Sequence, residues 1–122
     1  MFGFTDMVRV YLEVGTLFFY NWQKGIDTLP AEIHTVRFGD MAIASNPFEL
    51  FLDYGNQIKV RSKAKQTMLI QLANDSFFYL PTKKAESHGG YGCGTMVCYC
   101  DSPAGEILVE KTLDSINAMF EE

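Results

Sequence analysis

The strongest constraint in this sequence is a helix-start signal, Asn46-Pro47-Phe48-Glu49, that directly follows a short apolar run at 41–44. Asparagine is a good N-cap, proline suits the first helical position, and a glutamate three residues after the cap can close a capping box. The chain is therefore expected to pass from a strand into a capped central helix that ends near Arg61. Small or apolar residues follow at helical spacing, at Phe48, Phe51, Leu52, Gly55 and Ile58.

Two shorter patterns precede this junction. Residues 33–38 and 41–44 are apolar runs joined at Gly39-Asp40, and such a pair of residues tolerates the positive φ that a tight turn requires, so a β-hairpin is predicted. Residues 5–23 fit both an alternating strand and an apolar helix face, and their length without a turn residue other than Gly15 favours a helix.

The second half of the chain completes an α/β pattern. Residues 67–73 form a continuous apolar run that predicts a buried strand, and 74–92 form a long polar loop with a short helical turn after Pro81. Residues 93–100 are interpreted as a further strand. Ser102-Pro103 begins a final helix whose buried stripe is Val109, Leu113, Ile116 and Phe120.

Together these patterns predict one small α/β domain over residues 1–122, with a β-hairpin, a capped central helix, a buried strand, a long functional loop and a C-terminal helix. The net charge of -5 argues against nucleic-acid binding, which needs a basic surface to displace counterions from phosphate. The local basic cluster, Lys59, Arg61, Lys63 and Lys65, is interpreted as a solvated helix end.

Location is constrained by what the chain does not contain. It has no run of about 18 apolar residues, so no transmembrane segment is expected, and its N-terminus lacks the features of a signal peptide. Both points favour a cytoplasmic location. Three cysteines, Cys93, Cys98 and Cys100, lie within eight residues and lack paired C-x-x-C spacing, so free thiols are expected.

Candidate chemistry is found at Glu49 and in the long loop. A carboxylate at a strand-to-helix junction can bind a metal or act as a base, although the local sequence alone favours the capping box. Tyr79, His88 and Tyr91 follow a predicted buried strand, where α/β proteins tend to bind ligands. The alternative is that residues 77–79 are an apolar anchor for the loop. His34, on the predicted hairpin, fits a structural histidine.

The same residues carry a resemblance to the neutral/alkaline, non-lysosomal ceramidase-like family. Residues 42–59 read AIASNPFELFLDYGNQIK and resemble that family's strand-to-helix segment, with its Pro-x-Glu followed by Gly-x-x-Ile-Lys. Residues 69–74, LIQLAN, then 79–82, YLPT, and Gly89-Gly90-Tyr91 resemble its strand, its first tyrosine and its second tyrosine twelve residues later. Residues 32–40 are similar to its preceding hairpin. The resemblance covers about residues 30 to 120 and the C-terminal part of the catalytic domain only.

The resemblance implies a zinc-dependent amidohydrolase of lipid metabolism that cleaves an amide or sphingolipid-like substrate. By position Glu49 and Tyr79 would be zinc ligands and Tyr91 the catalytic oxyanion donor. The family's two zinc histidines lie in an N-terminal portion that this chain lacks. Phe48 stands where ceramidases proper carry glycine within Pro-x-Glu.

Three hypotheses follow. The first is a fragment or half-domain of such a hydrolase that is inactive alone and associates with the missing N-terminal portion. The second is a free-standing, non-catalytic interaction or oligomerisation domain, such as a homo-oligomer. The third is a zinc site completed by His34 or His88, or across a dimer interface.

Overall fold

The computed structural model describes residues 3–121 and divides the chain into two compact units, 1–30 and 31–122. The first contains helix α1 (Phe4–Trp22), so the helical interpretation of this stretch is confirmed. The second contains the remaining elements. These are β1 (His34–Phe38), β2 (Met41–Ser45), β3 (Glu49–Leu50), α2 (Leu52–Arg61), β4 (Gln66–Ile70), β5 (Tyr79–Leu80), α3 (Lys83–His88) and α4 (Ser102–Ala118).

Helix α1 has an apolar surface that its own unit does not cover. None of its described side chains is buried, and Phe4, Tyr11, Leu17 and Phe18 are each more than 60% exposed. On its surface, Arg9 and Glu13 form an ion pair one turn apart. Within residues 3–121, no helix combines the length and the apolar character that crossing a membrane requires.

Unit 31–122 has the predicted α/β fold. Strands β1 and β2 form the predicted hairpin with its turn at Gly39-Asp40, and β4 pairs parallel to β2, which gives a mixed sheet in the order β1-β2-β4. The connection from β2 to β4 runs through α2, as a parallel pairing requires a crossover. A second small sheet pairs β3 with β5 in parallel.

The helices cover one face of the three-stranded sheet. Helix α2 packs against β4, and α4 packs against β1, β2 and α2. Because side chains alternate along a strand, the face toward the helices carries the buried side chains of Ala42, Ala44 and Thr67. The core is completed by fully buried aliphatic side chains from the helices and β5, namely Ile58, Leu80, Val109 and Ile116.

The predicted start of the central helix is wrong. Asn46 does not cap a helix, because its Oδ1 accepts from the backbone N–H of Phe48 at 3.0 Å and its own N–H donates to the Ile70 carbonyl at 3.0 Å. Glu49 therefore lies in β3 rather than in a capping box, and α2 begins three residues later at Leu52. Pairing with β5 outcompetes the local helix signal. The predicted end at Arg61 is confirmed.

Three other local predictions need correction. Strand β4 is not buried on both faces, since Met68 and Ile70 on its outer face are 47% and 49% exposed. Residues 93–100 form turns and contribute only an isolated bridge between Cys98 and Phe78. Phe120 lies beyond the end of α4 and stacks on Arg37, with 4.3 Å between the guanidinium carbon and the ring centre.

Other expectations are confirmed. A short helix, α3, follows Pro81 as predicted, and it begins with a Thr82 side chain that accepts from the Ala85 N–H at 3.2 Å. The basic cluster at the end of α2 lies at the surface, where Arg61 forms a two-pronged ion pair with Glu110 on α4.

Helix α4 approaches the side chain of Tyr54 on α2 closely at Gly105. A Cβ built there would lie 2.2 Å from Cζ of Tyr54, whose side chain is buried and whose hydroxyl is 2.9 Å from the Pro81 carbonyl oxygen. This ring cannot move aside easily, because it is buried and its hydroxyl lies within hydrogen-bond distance of the Pro81 and Ser102 carbonyl oxygens. The sequence therefore needs glycine at this helical position.

We expect Gly105→Ala to lower the free energy of unfolding by up to about 2 kcal/mol, because overpacking costs about 1–3 kcal/mol and the gain in helix propensity offsets only about 1 kcal/mol. Urea unfolding monitored by circular dichroism measures the change. Gly94→Ala is the matched control, since a Cβ at Gly94 meets no atom within 4 Å. Equal stability of the two variants would contradict the packing argument.

Candidate functional site

The candidate site lies beside the carboxyl ends of the two parallel strands β2 and β4, the edge of an α/β sheet where ligands commonly bind. Beyond this edge, β3 and β5 pair in parallel with Glu49 opposite Tyr79. The backbone holds this pairing through the Glu49 N–H, which donates to the Phe78 carbonyl at 2.8 Å. The two predicted metal ligands are thus neighbours on adjacent strands.

The side chains of Glu49 and Tyr79 also interact. The Tyr79 hydroxyl donates a hydrogen bond to the Glu49 carboxylate, and this bond is the largest cause of a rise in the pKa of Tyr79 to about 12. Partial burial and the negative charge of Glu49 act in the same direction, because both disfavour a phenolate. Without a metal, the pair is a protonated phenol bound to a carboxylate.

Tyr91 joins this pair from the long loop. Its ring lies edge-to-face with that of Tyr79, with 5.5 Å between the ring centres and an angle of 73° between the ring planes. The side chain is 85% exposed, so a molecule in solution can reach it. The structure therefore brings together all three residues that the sequence nominates for the site.

The backbone leading into Tyr79 is strained. Phe78 has a φ of 57°, and Leu72 and Asn74, earlier in the same connection, have φ values of 53° and 68°. Asparagine tolerates this region, but leucine and phenylalanine rarely adopt it. Each of them there costs on the order of 1–3 kcal/mol and persists only because its surroundings impose it. At Phe78 those surroundings are the bridge to Cys98 and an edge-to-face contact with Tyr99 at 5.1 Å.

The histidines lie outside this group. His34, on β1, contacts the Glu32 carboxylate at 2.9 Å, and His88, at the end of α3, has its Nδ1 2.8 Å from the Lys84 carbonyl oxygen. Across residues 3–121, no cluster of three or more histidine, cysteine, aspartate or glutamate side chains is arranged to hold a metal. Glu49 and Tyr79 fit zinc as oxygen donors, but catalytic zinc normally takes three protein ligands.

The three cysteines are free thiols and half-buried. Cys98 donates through Sγ to the Gly92 carbonyl at 3.0 Å, and burial, followed by the nearby Cys93, raises its pKa to about 11. A thiol that resists deprotonation is a weak nucleophile, so Cys98 is not a candidate for covalent catalysis.

Two residues at the site were not identified from the sequence. Phe51 lies edge-to-face against Tyr79 with 6.3 Å between ring centres, although the sequence assigned it to the central helix. Gly92 is buried directly beside both rings. Its signal was the concentration of glycines around Tyr91, at Gly89, Gly90, Gly92 and Gly94.

Comparison of the chain with protein-family models, curated proteins and solved structures gives no match.

The hydrogen bond between Glu49 and Tyr79 can be tested through the phenol. In Glu49→Gln, we expect the pKa of Tyr79 to fall from about 12 toward the ordinary tyrosine value of 10.0, because the carboxylate charge is removed. An NMR titration of ring-labelled tyrosine, assigned with Tyr79→Phe, measures the change. Because folding raises this pKa, the pair's contribution to stability is complete below about pH 10 and is lost as the pH rises toward 12.

Glu32→Gln is the control, since Glu32 pairs with His34 on another part of the unit. An unchanged Tyr79 titration in Glu49→Gln, or an equal fall in Glu32→Gln, would show that Glu49 does not govern this phenol.

Proposed function

We propose that this chain supplies half of the zinc site of an amide hydrolase that resembles the neutral ceramidases. Glu49 and Tyr79 are two of the zinc ligands, and Tyr91 stabilises the developing oxyanion. Two histidines from a segment outside these 122 residues complete the site, so the chain is inactive alone. The substrate class is an N-acyl lipid or a similar amide.

One observation carries this proposal: residues at 49, 79 and 91 converge on one accessible point beside the edge of the sheet. A structural role alone does not account for the composition of the group. A carboxylate bound to a phenol, with a second phenol 85% exposed beside it, presents four oxygen atoms at a partly exposed surface that a ligand can reach. The strained backbone before Tyr79 also fits a site where geometry matters more than stability.

The two ligand residues are well placed to bind a cation together. Their backbones are fixed by the parallel pairing of β3 with β5, so few conformations must be lost when both side chains turn toward one ion. Zinc, when bound, supplies Lewis acidity and lowers the pKa of a water molecule. To become a phenolate ligand, Tyr79 would release its proton to solvent as the ion binds, and the neighbouring Glu49 carboxylate would share the ion.

Tyr91 acts on the substrate. Its exposed hydroxyl can donate to the amide carbonyl oxygen, and this hydrogen bond strengthens as negative charge develops there. The edge-to-face contact with Tyr79 restricts the Tyr91 ring, which keeps the donor near the metal ligands. Phe48, in place of the ceramidase glycine, packs in the core against Phe77 with 5.5 Å between ring centres.

Imidazole can substitute for the missing histidines in a test. We expect the chain alone to bind Zn²⁺ weakly, and the affinity to rise when imidazole is added, because the half-site then obtains its remaining ligands. Calorimetric titration measures the affinity. Glu49→Ala and Tyr79→Phe should abolish the rise, and Glu32→Ala should preserve it.

Zinc binding that does not depend on imidazole, or that survives in both site variants, would contradict the half-site. Amide hydrolysis is then measured with the N-terminal portion of a neutral ceramidase supplied in trans. There, Tyr91→Phe should retain zinc but lower kcat by about 10²–10³-fold, the typical effect of removing one oxyanion donor.

A second candidate function, an interaction or oligomerisation domain, is favoured by the outer face of the sheet. Register places Val36, Ile43 and Met68 in one row across all three strands, with Phe38 and Ile70 beside it. Val36, Phe38, Met68 and Ile70 are between 47% and 76% exposed, and the strand residues on this face include no lysine, arginine, aspartate or glutamate. Such an apolar patch is typical of a surface that binds a partner or another copy of the chain.

If this face mediates self-association, the purified chain should form a dimer or larger oligomer whose population falls with dilution in sedimentation experiments. Val36→Lys should shift it to monomer, because a charge would be buried in the interface. Val60→Lys is the matched control, since Val60 is 84% exposed on α2. A monomer at every concentration, or equal effects of both variants, would exclude this interface.

A further inference from the structure

The loop that carries Tyr91 approaches the site through the backbone of Gly92. This glycine is buried and has a φ of 85°. A Cβ at this position would lie 3.1 Å from Cε2 of Phe51 and 3.2 Å from Cγ of Tyr79. The Gly92 backbone therefore fills the corner between two rings that stand at 83° to each other.

We propose that Gly92, together with the Phe51 ring, is the positioning element that holds Tyr91 against Tyr79. Its importance to catalysis depends on the function proposed above, but the ring contact itself does not. Neither residue touches the substrate in this role. They act through the distance and the angle between the two phenols.

The absence of a side chain at Gly92 is required for two reasons. Its positive φ disfavours any residue with a Cβ, and a Cβ would lie so close to the two rings that a ring or the loop would have to shift. Any side chain would therefore push the loop away from β5. Because Tyr91 is the adjacent residue, its ring would move with the loop and lose the contact with Tyr79.

The rest of the loop is tied to the same strand. Cys98 donates through Sγ to the Gly92 carbonyl at 3.0 Å, and the Tyr79 N–H donates to the Val97 carbonyl at 3.0 Å. The loop thus contacts the 78–79 backbone near its end and the Tyr79 ring near its start. Among the loop glycines, Gly92 is the one where an added Cβ would meet the Tyr79 ring, so it is sensitive to added volume.

NMR of tyrosine-labelled protein tests this proposal without zinc or substrate. Ring protons of Tyr79 and Tyr91 should give nuclear Overhauser cross-peaks, assigned with Tyr79→Phe and Tyr91→Phe, since the ring centres are 5.5 Å apart. We expect Gly92→Ala to lose these cross-peaks while circular dichroism and the methyl signals of the core stay unchanged.

Gly89→Ala is the matched control. Gly89 has a similar φ of 70°, but a Cβ there meets no atom within 4 Å, so the variant carries the backbone strain without the overlap. It should retain the cross-peaks. Their persistence in Gly92→Ala, or their loss in both variants, would overturn the proposal.

A second variant decides the question if Gly92→Ala does not fold. Phe51→Leu removes one ring of the corner and leaves the loop backbone unchanged, so the Tyr79–Tyr91 cross-peaks should weaken, whereas unchanged cross-peaks would overturn the proposal. Loss of the contact in Gly92→Ala with no imidazole-dependent zinc binding in the wild-type chain would leave the positioning role intact and reject only the proposed hydrolase.

Discussion

The candidate site depends on the two-residue parallel pairing of β3 with β5. Three backbone hydrogen bonds join residues 47–51 to residues 77–80. They run from Glu49 N–H to Phe78 O, from Phe51 N–H to Leu80 O, and from Phe77 N–H to Pro47 O. This pairing places the Glu49 carboxylate beside the Tyr79 phenol. It also creates the corner of rings that receives the Tyr91 loop. Without it, these residues would lie on separate connections.

Elements whose signals lie in neighbouring residues were predicted correctly, whereas an element decided by contacts distant in sequence was not. The hairpin and the last helix were predicted because their signals are local: a turn that tolerates positive φ at Gly39-Asp40, and an apolar stripe after Ser102-Pro103. The start of α2 was predicted wrongly, because the Asn46 side chain accepts from the Phe48 N–H in a turn and the Asn46 N–H donates to Ile70 in the sheet. A contact between segments 30 residues apart decided that choice, and no local pattern records it.

The sequence nominated three residues for a site, but it did not predict their geometry. Local sequence alone favoured a capping role for Glu49 and an apolar role for residues 77–79. Only the resemblance to ceramidases nominated Glu49, Tyr79 and Tyr91 together. That they meet is a result of β3–β5 pairing and of the loop turning back at Gly92, both of which are tertiary events. A buried glycine has no side chain to mark its function, so its role becomes visible only when the neighbouring rings are placed.

The protonation of Tyr79 bears on why such a site would need residues from elsewhere. With a pKa of about 12, this phenol keeps its proton near neutral pH, and a metal must displace that proton before it gains the ligand. One carboxylate and one phenol with a raised pKa provide little binding free energy to offset the cost of removing that proton. Additional neutral nitrogen ligands would hold the ion close to the phenol, and the positive charge of the ion would then lower its pKa. In this proposal, Glu49 and Tyr79 would remain a hydrogen-bonded pair until the two histidines join them, and would act as metal ligands only then. The chain alone would therefore not bind a metal strongly.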